Sequence, residues 1–281
     1  MRHGQSISSN RQINATLNAF QFKKAVEDFW QGLKLWRIWI NLSWQEFRGT
    51  YRRSVFGITW VILSFAGFIF IKLMIFSGLL ETADAKRYNA YLVIGLYIWF
   101  YLVLVINAAP HSFTAAQGWI KSEPLPYSLY VFKNIMRELY NLVLTAIVVL
   151  AAFIYLKFPV SFEAVYAIPA FLFYILNAVW LKLFLGIVGA RFRDIIHLVS
   201  ATTLPLMFLT PIFWMPEQLP GLMKYLWWNP LFHFLEIARA PIVDGTFPGQ
   251  SWLFCLCVFG IGSVLALLTF ARFRQRIIFW F

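Results

Sequence analysis

Six apolar stretches, at roughly residues 57–76, 88–110, 139–157, 165–190, 197–215 and 251–270, leave this chain few ways to fold. About 20 helical residues, rising about 1.5 Å each, cross a hydrocarbon layer about 30 Å thick. Each stretch is close to that length. One soluble core of a 281-residue chain does not bury so much apolar surface, since 60% of the residues are apolar and 13% charged. An all-α integral membrane protein with six transmembrane helices is therefore predicted.

An even number of crossings places both termini on one side, and the basic residues choose which. Seventeen fall in the region up to Arg53, in the loop with Lys121, Lys133 and Arg137, at Arg191 and Arg193, and in the tail with Arg272, Arg274 and Arg276. Five, Lys86, Arg87, Lys157, Lys224 and Arg239, fall on the other side. Cytoplasmic loops collect Lys and Arg, so both termini are predicted to be cytoplasmic. The formal net charge of +12 follows from this topology and calls for no nucleic acid.

The chain before the first span follows a different pattern. Residues 1–26, rich in Ser, Asn and Gln, have no apolar period and are expected to form a mobile tail without a cleaved signal. Over residues 27–50, Phe29, Leu33, Trp36, Ile40, Trp44 and Phe47 recur at steps of three and four, while Lys34, Asn41, Gln45 and Arg48 take another side. That is an amphipathic helix suited to the membrane interface. Residues 51–281 are then the six-span domain.

Seven of the 12 prolines, Pro205, Pro211, Pro216, Pro220, Pro230, Pro241 and Pro248, crowd in or just after the stretch from Arg191 to Gly245. Proline removes a backbone donor, and broken backbone at membrane depth is tolerated only beside protein or a water-filled cavity. The stretch is therefore predicted to wall a pathway, with a re-entrant pair of short helices over residues 216–246. Leu219, Leu222, Met223, Leu226 and Trp227 suggest the first; Asn229 is placed to cap the second, with Pro230 in its first turn. In that second helix His233, Glu236 and Arg239 share one polar face, read as a hydrogen-bonded scaffold because no third catalytic group or metal spacing accompanies it.

The loop between the second and third spans, with a candidate coupling region at residues 121–137, holds Pro124 and Pro126, after which Ser128 is placed to cap a short helix. That helix carries Leu129, Phe132 and Ile135 on one side and Lys133, Arg137 and Glu138 on others, an exposed apolar ridge for a cytoplasmic partner to grip or for the membrane surface to support. No Asp or Glu falls inside the six stretches, which weighs against proton-coupled transport and intramembrane catalysis. Lys72 and Lys182 do fall inside, and both are expected to snorkel, Lys182 only just reaching. Cys255 and Cys257, two apart on a helix, point apart and are read as small apolar residues. Phosphate-loop, dinucleotide, HExxH and paired-Cys zinc motifs are absent, so the chain has no visible means of using ATP and no cofactor of its own.

TYRRSVFGITW (Thr50 to Trp60), IKSEPLPYSLYVFKNIMREL in the first cytoplasmic loop, ARFRDI (Ala190 to Ile195), and TPIFWMPEQLP followed by NPLFHFLEIARAPIVDG resemble the membrane subunit of bacterial polysaccharide-exporting ABC transporters. The resemblance spans roughly Trp30 to the C-terminus, and the loop run is closer to the O-antigen kind than to the capsule or teichoic acid kinds. It implies an inner-membrane homodimer docked on a separate ATPase dimer, which binds ATP and Mg, and a polysaccharide cargo linked to polyprenyl pyrophosphate. It also implies that Pro126 to Arg137, including Tyr127, Ser128, Leu129, Tyr130, Phe132, Lys133 and Arg137, form the coupling helix. Arg48, Arg52 and Arg53, just before the first span, become candidates for the pyrophosphate headgroup, since guanidinium pairs well with phosphate; cytoplasmic anchoring is an equal alternative for each. Tyr97, Trp99, Tyr101, Phe208, Phe213 and Trp214 become candidate channel aromatics, and Trp227, Asn229, Pro230, His233, Glu236 and Arg239 an external gate. Two other readings stay open: an exporter of the same fold for small lipids or drugs, and a membrane-embedded transferase of lipid-linked sugars using His233 and Glu236.

Overall fold

A computed structural model describes residues 20–76, 85–219, 221 and 223–281 of the chain. Among the described residues the regular structure is helical throughout. Helix α1 covers residues 20–34, and a turn at Leu35 leads into α2 (Trp36–Thr50). The later helices are α3 (Thr59–Phe76), α4 (Ala85–Ala108), α5 (Gln117–Ser122), α6 (Tyr127–Leu156), α7 (Ala167–Arg191), α8 (Asp194–Leu209), α9 (Met223–Leu226), α10 (Pro230–Val243) and α11 (Gly249–Phe273). Short 3₁₀ turns join several of them, and another, Arg274–Trp280, ends the chain.

Four helical segments are long and apolar enough to cross a membrane: Ala85–His111, Tyr127–Leu156, Phe162–Arg191 and Gly249–Trp280. Thr59–Ile75 and Asp194–Leu209 are apolar but shorter, so the six predicted spans divide into four long helices and two short ones. The third differs most from expectation. Instead of a separate short helix before residue 139, one helix of 30 residues runs unbroken from Tyr127. Part of the segment expected to be a mobile tail is helical instead. Residues 20–26 are helical and Ala25 is fully buried; residues 1–19, with Pro220 and Leu222 of the expected re-entrant pair, lie outside the described residues.

Two polar clusters mark opposite ends of the bundle. At one end the Asp28 carboxylate accepts from the backbone N–H of Tyr127 (3.1 Å) and Ser128 (3.0 Å) and from Arg274 Nε (2.7 Å). This joins α1, the start of α6 and the end of α11. At the other, Arg87 at the start of α4 pairs with Asp244 (2.8 Å) and Glu217 (3.5 Å), which follow α10 and α8. Helices α4, α6 and α11 each run from one cluster toward the other.

The core is built around α4, whose residues 90–99 are all buried among α3, α6, α7, α8 and α10. Its apolar surface is continuous around the helix, which suits a helix surrounded by protein. The stripe of α1 and α2 that packs inward is Ala25, Asp28, Gly32, Ser43 and Phe47. A Cβ at Gly32 would lie 2.1 Å from Ser128 Oγ, so α1 crosses the start of α6 where only glycine fits. Half of the predicted apolar stripe, Leu33, Trp36 and Trp44, is more than a third exposed, while Phe47 is buried and Phe29 and Trp44 lie against Phe132 and Tyr140 of α6.

Helix α11 lies against α7 in the same close manner, since a Cβ at Gly262 would come within 2.6 Å of the Trp180 ring. Small residues let membrane helices approach, and dispersion across that contact replaces the hydrophobic drive available in water. Gly262→Val is expected to destabilise the protein by about 1–3 kcal/mol through overpacking. Thermal unfolding in detergent checks this, and an unchanged midpoint would show that the contact is dispensable.

Candidate functional site

Between α2 and α3 the chain turns through residues 51–58, and Gly57 takes a φ of 56°. A side chain is strained in that region of backbone space. The turn opens a cleft of about 710 Å³ lined by Trp44, Gln45, Arg48, Tyr51, Arg52 and Ser54, among others. Arg48 and Arg52 are exposed, and among the described residues neither forms an ion pair. Arg53, also exposed, lies outside the lining, so the structure brings together two of the three predicted arginines. Two guanidinium groups at the mouth of a polar, aromatic-edged cleft suit a phosphate diester or diphosphate, which each can bind in bidentate fashion.

The predicted partner-facing helix is placed differently. Ser128, Leu129, Tyr130, Phe132 and Lys133 are buried, Tyr127 is half-buried, and Arg137 is only partly exposed. The Phe132 ring lies 5.3 Å from that of Phe29, and Lys133 and Arg137 both pair with Glu46 of α2. This ridge therefore holds α1 and α2 against α6 and is no free surface. Ser128 is not the cap either: the helix is capped from outside by Asp28, 100 residues away in sequence. The exposed helix of the loop is α5, where Trp119 is 47% exposed.

At the proline-rich stretch, α8 continues past Pro205 and ends at Leu209, and Pro211 keeps the helix from resuming. The carbonyls freed there are satisfied by side chains. Pro211 O accepts from Tyr91 Oη (2.8 Å) and Arg239 Nη1 (2.5 Å), and Phe213 O from Tyr88 Oη (2.7 Å). Broken backbone is thus tolerated because α4 and α10 supply donors. Arg239, fully buried, also pairs with Glu236 and lies 3.9 Å from the Tyr91 ring centroid.

Asn229 caps α10, its side chain accepting from Leu231 N at 3.0 Å, with Pro230 at the first helical position, as the sequence predicts. His233 is buried with Nδ1 3.0 Å from Ser251 Oγ, Nε2 3.1 Å from the Trp227 carbonyl, and its ring stacked on Phe254. His233, Glu236 and Arg239 form a scaffold, each already engaged. The expectation of an external lid is corrected for α10, which is buried among α4, α7 and α11 on nearly every side. The helix expected before it amounts to the single turn α9, after which Trp227 is 46% exposed.

The candidate channel aromatics separate into two groups. Tyr97, Trp99 and Tyr101 are buried within the bundle, where Tyr97 donates to the Leu142 carbonyl at 3.0 Å and Tyr101 lines an apolar cavity of about 190 Å³ with Tyr174 and Phe234. Phe208 and Trp214 line a cleft of about 360 Å³ with Tyr225 and Trp228, while Phe213 lies 4.9 Å from the Lys72 ammonium. Lys182, expected to snorkel, is instead fully buried and paired with Glu138 at 2.6 Å. Glu138 stands one residue before the apolar stretch drawn from the sequence, which is why the stretch seemed free of acids.

A family model described as ABC-2 type transporter matches residues 38–243. An O-antigen export system permease protein, RfbA, of Klebsiella pneumoniae is 24% identical over 248 residues, covering 86% of this chain and 94% of that protein. A second protein of that name from the same organism is 24% identical over 217 residues, covering 75% and 82%. The polysialic acid transport protein KpsM of Escherichia coli is 23% identical over 238 residues, covering 83% and 91%.

Proposed function

The chain belongs to the ABC-2 type transporter family, and from that premise we propose that it is the membrane-spanning subunit of an ATP-driven exporter of polysaccharide, most closely of the O-antigen kind, attached to polyprenyl pyrophosphate. Two copies form the pathway in the bacterial inner membrane, with both termini in the cytoplasm. ATP and Mg belong to a separate ATPase dimer. The relatives' names, which speak of O-antigen export and polysialic acid transport, support the cargo class. The pairing of copies is supported by α8, an apolar helix of 16 residues with none buried in the single chain.

The observation that carries the lipid-linked part of this reading is the cleft at Arg48 and Arg52. It opens where the interface helix α2 meets α3, the place at which a headgroup in the cytoplasmic leaflet meets the protein. The aromatic cleft at Phe208, Trp214, Tyr225 and Trp228 offers ring faces that stack weakly on sugars, which suits a passage better than tight sites do. Closure of the ATPase dimer then displaces the first cytoplasmic loop and, through α6, the bundle.

Replacing Arg48 and Arg52 together by Gln is expected to lower export by at least about tenfold, the loss of one charge-assisted contact or more. Surface glycan measured at matched membrane abundance and matched ATPase association checks it. Normal surface glycan in that variant would sink the headgroup role.

A further inference from the structure

Helix α6, with 30 residues, is about 45 Å long, whereas the hydrocarbon layer is about 30 Å thick. Its C-terminal end stops sharply at Lys157, which takes a left-handed φ of 48°. The remaining length, about 15 Å, projects at the Tyr127 end and carries outward whatever is fastened there. Three segments are. α5 precedes it by a short connection, α1 is held through Asp28, and the C-terminal segment is held by Arg274 on the same carboxylate. A cleft of about 420 Å³ joins α5 to that segment, with Lys121, Glu123, Tyr127, Arg274 and Ile278 among its lining. The Arg191 guanidinium, 5.7 Å from the Trp280 ring centroid, adds the end of α7.

The surface so assembled carries large exposed aromatic side chains, Trp119 (47%), Phe192 (59%) and Phe279 (81%). Around them stand exposed Lys121, Arg191, Arg193, Arg272 and Arg276, against the exposed acids Glu123 and Asp194. An apolar patch with a mainly basic rim, continuous with α5 of the loop on which the ATPase acts, suits a protein partner of the opposite charge.

We propose that the C-terminal segment Arg274–Phe281 is a second docking element, beside α5, for the cytoplasmic ATPase, with Phe279 seated in an apolar hollow edged by acidic side chains. This rests on the exporter reading and adds to it a footprint that the first cytoplasmic loop alone does not contain. The Arg274–Asp28 pair holds the segment in place, so movement of the ATPase reaches α6 and α11 together.

The test uses the full chain co-expressed with its cognate ATPase in membranes. A photo-crosslinking residue at position 279 is expected to join the ATPase. Phe279→Asp is expected to lower ATPase co-purification at least about tenfold at unchanged membrane abundance, since a lost hot-spot contact exceeds about 1.4 kcal/mol. Phe162→Asp, equally exposed at the opposite end, is expected to leave co-purification unchanged. Crosslinks only to lipid or to this chain, or capture by Phe279→Asp within twofold of wild type, would overturn the proposal while leaving the exporter reading intact. A wild-type chain that captures no ATPase overturns both.

Discussion

Asp28→Ala is expected to cost about 3 kcal/mol of stability and to loosen the end of the bundle where α1, the start of α6 and the C-terminal segment meet. The carboxylate side chain is fully buried and serves several donors at once: the N–H groups of Tyr127 and Ser128, the Ser128 hydroxyl at 2.9 Å, and Arg274 Nε. The first two are orphan donors at the start of a 30-residue helix, where a negative charge also meets the positive end of the helix dipole. Arg274 is 24% exposed, so water replaces part of its lost pairing and the cost stays near the lower end of the range for a broken buried pair. Asp28→Asn keeps an acceptor for the cap and gives up the charge, and is expected to lose about half as much. Thermal unfolding in detergent orders the variants, and hydrogen exchange locates the loss at residues 117–131 and 274–281. An Asp28→Ala protein with unchanged exchange in both segments would show that the junction does not hold them.

That junction also marks where sequence reasoning reaches its limit. Four of the six expected spans were legible because about 20 apolar residues in a row have one stable use, and the Asn229 cap because its partner lies two residues away. Asp28 was not legible as a cap, since its partners lie about a hundred residues on and no local period announces them. The ridge of Leu129 and Phe132 was correctly seen as apolar, but a single sequence does not say whether an apolar ridge faces a partner or another part of its own chain; here it faces α1 and α2. Arg48 and Arg52 were singled out by their charge and their place before a span. That they share a cavity from which Arg53 is excluded depends on the turn at Gly57. Tyr97, Trp99 and Tyr101 were misplaced for a related reason: aromatic content marks neither a lining nor a core until the neighbours of α4 are known.

The Glu138–Lys182 pair yields the sharpest expectation, because two charges at 1% and 0% side-chain exposure are each other's ion-pair partner and offset each other's desolvation. Lys182→Met leaves the Glu138 carboxylate without its cation between α6 and α7, and Glu138→Leu leaves the ammonium in the same position. Each single change is expected to cost about 3–5 kcal/mol, enough to lower the yield of folded protein in membranes. The double variant Glu138→Leu with Lys182→Met removes both charges and fills their space with apolar groups of similar size. A buried ion pair seldom outperforms good apolar packing, so most of the loss should be recovered, with a coupling energy of about 3 kcal/mol between the sites. Melting of all four proteins in detergent completes the cycle. Additive losses, with the double variant worse than either single one, would mean that each side chain acts alone. Recovery of stability together with loss of glycan export would instead assign the pair to the movement of α6 against α7, because a role confined to holding the fold would return export along with the melting temperature.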